Sequence, residues 1–186
     1  RLSKTSDFGS GCSADGNILI DDTIYDRFVD QLVLEGGYLV TDEEKDLLER
    51  ALWAPDGSRT IETVAQPASK LAVEAGFAIP EDRLFIIVEQ EDIGKDHRFS
   101  GEKLTSLLAV YRYHGFEDAL DKVRRIYQVA GAGHSCGIYS FDDDHIDRLV
   151  GGQRQAGDDL AADRVLHDRA CDPLRREPGG ASEPQH

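Results

Sequence analysis

The run from Leu84 to Val88 restricts the fold more than any other stretch of the sequence. It is continuously apolar, with Arg83 before it and Glu89 after it. A strand with one solvated face alternates apolar and polar side chains, whereas a short continuous apolar run is typical of a strand that is covered on both faces. The chain is therefore predicted to contain a sheet that is packed between helices.

Segments with the pattern of strands alternate with segments of helical pattern along the chain. The predicted strands cover residues 17–20, 38–40, 84–88, 107–113 and 136–139. The predicted helices begin near Thr23, Thr41, Pro67, Phe116 and Asp142, and the last of them ends at Val150. Thr41 and Glu44 have the spacing of a capping box, and Gly76 is a typical helix stop. This alternation predicts an α/β fold with a mostly parallel sheet covered by helices.

The composition argues against several classes of function. The chain has a net charge of −15, which is unfavourable for binding nucleic acid or an anionic membrane surface. No apolar stretch approaches the roughly 20 residues of a transmembrane helix, and no signal segment opens the chain. Three cysteines, at positions 12, 136 and 171, are too far apart for a disulfide framework or a metal-ligand cluster. We therefore expect a soluble protein of the reducing cytoplasm.

The character of the sequence changes near residue 150. Up to that point the apolar residues are sufficient for the core of one domain. Residues 151–186 are rich in Gly, Arg, Asp and Pro, which predicts an atypical, disordered tail. The chain opens at Arg1 and contains no Met, so we expect it to be a piece of a longer protein.

A cysteine in a loop of small residues is the first candidate for chemistry. Cys12 lies in the stretch from Gly9 to Asn17, immediately before a predicted strand. Small neighbours allow a carbonyl group to approach the sulfur, and backbone N–H groups in such a loop can stabilise an oxyanion. A thiolate is also the most reactive nucleophile among side chains near neutral pH. On this stretch alone, a buried or idle loop cysteine is the simpler alternative.

Two further stretches give the Cys12 loop a context. They are Phe99-Ser100-Gly101-Glu102-Lys103-Leu104, before the strand at 107–113, and the stretch from Gly131 to Ser140. In this order and at these separations, the three stretches resemble the catalytic domain of the aldehyde dehydrogenase superfamily. The similarity covers roughly residues 4–149. It is greatest to the CoA-acylating branch and, within that branch, to the sulfoacetaldehyde dehydrogenases.

The resemblance implies a chemical role for three residues. Cys12 matches the catalytic cysteine, whose thiolate attacks an aldehyde, passes a hydride to NAD or NADP and transfers the resulting acyl group to coenzyme A. Glu102 matches the glutamate that binds the nicotinamide-side ribose, and His134 matches a cofactor-binding position near the active-site entrance. The implied partner is a small aldehyde, with neither nucleic acid nor membrane involved. The full-length family member is expected to be a homo-oligomer.

The sequence also departs from the family pattern. The cysteine loop has Asp15 and Gly16 where a single Glu is usual, and Ser106 stands where a Pro is expected, which should loosen a rigid turn. The nucleotide-binding half of the family lies upstream of the position of Cys12. A fragment without it has no positioned hydride acceptor, so we expect the isolated 186-residue chain to show little turnover.

Other interpretations of these residues are open at this point. The protein can be a hydrolytic aldehyde dehydrogenase that releases a free acid, or a non-catalytic remnant that acts only in packing or oligomerisation. Glu102 can be a solvated loop carboxylate and His134 a simple loop residue. Cys136, in a predicted strand, is expected to be a small buried side chain, and Cys171 to be idle. Asp142 to Asp144 are expected to cap a helix rather than to bind a metal.

Overall fold

The computed structural model of the protein describes residues 1–12, 14–131 and 136–155. Its regular elements are helices and strands, with three short 3-10 turns at Ser6–Gly9, Ile61–Thr63 and Arg98–Ser100. In chain order they are α1 (Leu2–Thr5), β1 (Asn17–Asp21), α2 (Tyr25–Leu34), β2 (Gly37–Leu39), α3 (Asp42–Leu52), α4 (Ala68–Ala75), β3 (Phe85–Gln90), β4 (Leu107–Tyr113), α5 (Phe116–Ala130) and α6 (Asp143–Gln155).

The strands form one parallel sheet in the order β1-β4-β3-β2. Each neighbouring pair is parallel, with Asn17 opposite Ala109, Ile87 opposite Leu108, and Gly37 opposite Phe85. The predicted α/β class and parallel sheet are therefore confirmed. The order also shows something that the sequence does not, namely that the last strand lies beside the first.

Both faces of the sheet are covered, as the continuous apolar run predicts. Ile86 and Val88 point to one side and pack in a cluster with the buried leucines of α3 and α4. Phe85 and Ile87 point to the other side and pack against α2. All four side chains are at most 1% exposed. Successive residues of a strand face opposite sides, so a strand buried on both sides has no place for a polar residue.

Three predicted helix ends have the expected geometry. Thr41 Oγ1 accepts a hydrogen bond from the Glu44 N–H at 3.2 Å, and Glu44 Oε2 accepts one from the Thr41 N–H at 3.0 Å, which completes the capping box. Gly76 ends α4 with φ 90°, a left-handed conformation that glycine adopts without steric cost. At α6, Asp142 Oδ1 accepts the Asp144 N–H at 2.9 Å, which confirms the predicted acidic cap.

The predicted strand at 136–139 is wrong. Residues 136–140 form an irregular connection before α6, and Cys136 is only partly buried. Tyr139 is 91% exposed, so an apolar residue on this segment has no face to pack against. Alternating apolar residues produce a strand only where a neighbouring strand supplies hydrogen bonds, and the described part of the sheet has none beside this segment.

The described chain extends past the predicted domain boundary. Helix α6 continues to Gln155, five residues beyond the predicted end at Val150. Residues 156–186 lie outside the described residues, so the division into a domain at 1–150 and a tail at 151–186 stays a prediction. Within the described ranges, no helix is both long and apolar enough to span a bilayer.

Candidate active site

The topology brings the Cys12 loop and the Glu102 loop to the same edge of the sheet. Cys12 lies five residues before the first residue of β1, and Glu102 lies five residues before the first residue of β4. These two strands are parallel neighbours, with Asn17 opposite Ala109. Because parallel strands begin at the same edge, the two loops enter the sheet side by side.

Cys12 is exposed in a turn that is tied to the rest of the protein. The Ala14 N–H donates to the Gly11 carbonyl at 2.9 Å, which closes a turn with Cys12 in its second position. The Asp15 N–H donates to Ser3 Oγ at 2.8 Å and so attaches the loop to α1. An accessible thiol in a tethered turn can be approached by a substrate without rearrangement of the loop.

The backbone just before Cys12 is strained. Asp7 and Phe8 have φ values of 45° and 52°, in the left-handed region that costs a residue with a side chain roughly 1–2 kcal/mol. Gly9 follows at φ 66°, and a Cβ on it would lie 2.7 Å from the Thr105 carbonyl oxygen. Glycine is thus required at position 9. Its close approach to Thr105 brings the cysteine loop against the loop that precedes β4.

A buried lysine links the same two loops. Lys103 is 1% exposed, and its Nζ donates to Asn17 Oδ1 at 2.5 Å and to the Gly101 carbonyl at 3.0 Å. The Asn17 Nδ2 group donates in return to the Ser100 carbonyl at 3.0 Å. Sequence reasoning missed Lys103 and gave Asn17 no role. No local pattern marks them, because the two residues are joined only by the pairing of β1 with β4.

Two amines lie beneath the cysteine loop. Burial lowers the pKa of Lys103 well below its ordinary value, and the charge of Lys4 acts in the same direction. Lys4 is 3% exposed, and burial lowers its pKa to about 8, although Asp15 and Glu102 both favour its charged form. Glu102 influences both amines, which places its carboxylate in the same neighbourhood as the two lysines.

Glu102 is exposed on a loop whose backbone is well supported. Arg59 Nη2 donates to the Lys103 carbonyl at 2.8 Å, and the Ala65 N–H donates to the Leu104 carbonyl at 2.9 Å. The backbone carbonyls of the two residues that follow Glu102 are therefore both held by hydrogen bonds. An exposed carboxylate on a fixed backbone can accept hydrogen bonds from two vicinal hydroxyls, as a ribose presents them.

Relatives of the chain are found among characterised enzymes, although no family model matches it. It is 37% identical over 152 residues to a sulfoacetaldehyde dehydrogenase from Acholeplasma sp, a match that covers 79% of this chain and 31% of that protein. An acylating sulfoacetaldehyde dehydrogenase from Bilophila wadsworthia is 30% identical over 151 residues, with 79% and 32% covered. The crystal structure of an acetylating aldehyde dehydrogenase from Geobacillus thermoglucosidasius matches with a TM-score of 0.76 and 31% identity, covering 80% of this chain and 32% of that one.

The chain is homologous to one segment of the acylating aldehyde dehydrogenases. It spans about a third of the length of the curated relatives that it matches. The family resemblance and the fold inferred from the three sequence stretches are confirmed. The individual roles of Cys12, Glu102 and His134 stay predictions.

The third predicted site residue, His134, lies outside the described residues. Helix α5, which precedes it, ends at the edge of the sheet that carries the cysteine loop. A Cβ on Gly101 would lie 3.8 Å from Val129 Cγ1, near the end of α5. Cys171 also lies outside the described residues, and its predicted idleness is untested.

Ser106 does not loosen its turn, contrary to the sequence expectation. The Leu107 N–H donates to the Thr105 carbonyl at 2.7 Å and closes a three-residue turn around Ser106. The Ser106 N–H points to the Gln66 carbonyl at 3.4 Å, and the Ser106 carbonyl accepts the Ile86 N–H at 2.8 Å. These backbone hydrogen bonds hold the turn without the fixed φ that a proline would supply.

Replacing the Ser106 side chain with alanine is expected to stabilise the protein. Its Oγ is buried without a hydrogen-bond partner among the described residues, which costs about 1–3 kcal/mol. Ser106→Ala is therefore expected to raise the free energy of unfolding by about 1 kcal/mol in urea titrations. Ser100→Ala is the matched control and should destabilise, because Ser100 Oγ accepts from Tyr111 Oη at 3.3 Å. A loss of stability in Ser106→Ala would show that Oγ has a partner.

Proposed function

We propose that this chain supplies the nucleophile for an NAD(P)-dependent oxidation of an aldehyde to an acyl-CoA. The proposal rests on one observation: an exposed thiol, Cys12, shares a sheet edge with an exposed carboxylate, Glu102, in a chain whose relatives are acylating aldehyde dehydrogenases. Sulfoacetaldehyde is the first aldehyde to test, because the relative at 37% identity is named for it.

In the proposed reaction, the Cys12 thiolate attacks the aldehyde carbon and forms a C–S bond. The resulting thiohemiacetal loses its hydroxyl proton and a hydride, so the aldehyde carbon is oxidised and Cys12 carries a thioester. The thiol of coenzyme A then attacks the acyl carbon, the bond to Cys12 breaks, and the Cys12 thiolate is regenerated. Bound NAD or NADP supplies the acceptor for the hydride.

Glu102 is proposed to bind the cofactor. Its carboxylate is exposed and would accept hydrogen bonds from the ribose hydroxyls on the nicotinamide side, next to the thiol. The supported backbone of its loop fits this role, because a fixed acceptor orients the cofactor without reorganisation. His134, three residues beyond Gly131, is proposed to lie near the entrance to the same site. A location in the reducing cytoplasm also stays a prediction.

The second half of this reaction can be tested on the chain alone. In reverse, the Cys12 thiolate attacks the thioester of acetyl-CoA and releases coenzyme A, with no redox step and no need for a nicotinamide. We expect the chain to gain one acetyl group on Cys12 by mass spectrometry of its peptides. Cys12→Ser should abolish this gain, while Cys136→Ser, the matched control, should leave it intact. Acetylation elsewhere, or none, would contradict the proposed function.

Two further experiments on the same chain distinguish this proposal from a non-catalytic remnant and from a hydrolytic enzyme. A non-catalytic remnant has an unactivated thiol, so iodoacetamide should alkylate Cys12 no faster in the folded chain than in urea. An acylating enzyme should show faster alkylation when folded. A hydrolytic enzyme would release acetate from the acetylated chain as readily without coenzyme A as with it, whereas an acylating enzyme should return the group to added coenzyme A.

A further inference from the structure

We propose that Lys103 and Asn17 are positioning residues that fix the Cys12 loop relative to the Glu102 loop. This inference rests on the proposed function of Cys12, and it adds two residues that contact neither the thiol nor the cofactor in that proposal. We refer to the hydrogen-bonded set formed by Asn17, Ser100, Gly101 and Lys103 as the loop clamp.

The loop clamp runs in both directions between the two segments. The Lys103 Nζ group donates to the Asn17 side-chain oxygen at 2.5 Å, and the Asn17 side-chain nitrogen donates to the Ser100 carbonyl at 3.0 Å. A second bond from Lys103 Nζ, to the Gly101 carbonyl at 3.0 Å, keeps the lysine folded back on its own loop. The two segments are thus joined by reciprocal bonds that a shift of either loop would break.

Strand pairing alone does not fix the two loops. The backbone register of β1 on β4 begins with Asn17 opposite Ala109, and the Gly16 carbonyl accepts the Ala109 N–H at 3.1 Å. Cys12 lies upstream of that last pairing, and so does Glu102 on the other strand. Beyond that pairing, the loop clamp and the close approach of Gly9 to Thr105 hold the two loops against each other.

Because Lys103 is next to Glu102 in the chain, the loop clamp also affects the orientation of the Glu102 side chain. Lys103 is 1% exposed and points inward, whereas the adjacent Glu102 is exposed. Holding the lysine inward therefore sets the direction in which the carboxylate leaves the loop. On the other strand, Asn17 ends the same loop that carries Cys12, so one pair of side chains controls the placement of both candidate groups.

Packing alone does not account for a lysine at this place. A methionine would fill a similar volume without the cost of burying an amine, which is tolerated only when the group is hydrogen-bonded. The polar atoms of the loop clamp satisfy one another, and such a satisfied network specifies one arrangement of the loops over others. We therefore expect the buried lysine to make the placement of Cys12 and Glu102 more precise.

The test measures the rate of Cys12 acetylation by acetyl-CoA in Lys103→Met and Asn17→Ala. We expect each to lower this rate by about 10-fold or more, since displacements near 1 Å cost up to about 100-fold. The double variant should lose less rate than the product of the two single losses, because the bond between Lys103 and Asn17 is removed in both single variants. Arg83→Met is the matched control: Arg83 bonds the Val33 and Gly37 carbonyls at the β2 edge, and its loss should leave the rate within about twofold.

Hydrogen exchange of residues 9–16 separates failure of the loop clamp from failure of the proposed function. We expect faster amide exchange there in Lys103→Met and Asn17→Ala, and unchanged exchange in Arg83→Met. Unchanged exchange and acetylation in folded variants would overturn the loop clamp. An equal loss of rate in Arg83→Met would also overturn it, since the effect would then be general destabilisation. If the unmodified chain is not acetylated, the proposed function fails, and the exchange data alone decide whether the loops are clamped.

Discussion

Replacing Gly37 with alanine is expected to lower the free energy of unfolding by about 2–3 kcal/mol, an overpacking cost in a region that cannot give way. A Cβ at this position would lie 2.8 Å from the Leu32 carbonyl oxygen and 3.0 Å from Phe85 Cε2. The first of these is a backbone atom near the end of α2, so no change of rotamer relieves the contact. Gly37 begins β2, and α2 packs directly on this edge of the sheet.

Urea unfolding of the full chain measures the effect. Gly11→Ala is the matched control, because a Cβ at Gly11 meets nothing within 4 Å, and its unfolding free energy should stay within about 0.5 kcal/mol. An unchanged midpoint for Gly37→Ala would contradict the spacing between α2 and β2. A loss in both variants would indicate a backbone effect common to glycine replacement rather than a steric clash.

The fold was largely readable from the sequence because its signals are local. The run at 84–88 predicts a strand covered on both faces, and the structure places Ile86 and Ile87 in separate clusters on opposite sides of the sheet. The Thr41 capping box and the Gly76 stop depend on residues at most a few positions apart, so their geometry follows from spacing alone. Patterns of this kind need no knowledge of which strands are neighbours.

The wrong strand at 136–139 shows the limit of local patterns. Its residues have the composition of a strand, but a strand also needs a partner and a covered face. Tyr139 and Phe141 are 91% and 97% exposed, so neither requirement is met in the described part of the chain. Sequence pattern predicts what a segment prefers, while the presence of a neighbour is a property of the whole fold.

The candidate site depends on a fact that no local pattern contains. The Cys12 loop and the Glu102 loop reach the same edge of the sheet because β1 pairs with β4, which follows it in the chain by more than 80 residues. The family resemblance led to both residues, yet Lys103 and Asn17 were missed, since a lysine in a polar loop is ordinarily expected at the surface. Their bond joins residues 86 positions apart, and only the strand order brings them together.

The pH dependence of stability is expected to differ between the natural chain and Lys4→Met by about 2 kcal/mol over the range from pH 7 to 10. Burial lowers the pKa of Lys4 to about 8, against an ordinary value of 10.5. Below pH 8 the amine is protonated in both states, and the folded state carries the cost of burying the charge. Between pH 8 and 10.5 the folded amine is neutral while the unfolded one still binds a proton, so the free energy of unfolding rises with pH.

Lys4→Met removes this titration and keeps a side chain of similar length in the same buried place. Its free energy of unfolding should therefore lack the rise, and any advantage that it has at pH 7 should shrink or reverse by pH 10. The buried tyrosines titrate in both chains, so their contributions largely cancel in the difference between two sets of urea titrations. The pKa of Lys103 should be lowered less in Lys4→Met, because the charge of Lys4 no longer acts on it. If the unfolding free energies of the two chains changed with pH in parallel, the prediction would be wrong. The Lys4 ammonium would then be solvated or tightly paired, and its burial would not destabilise the folded state.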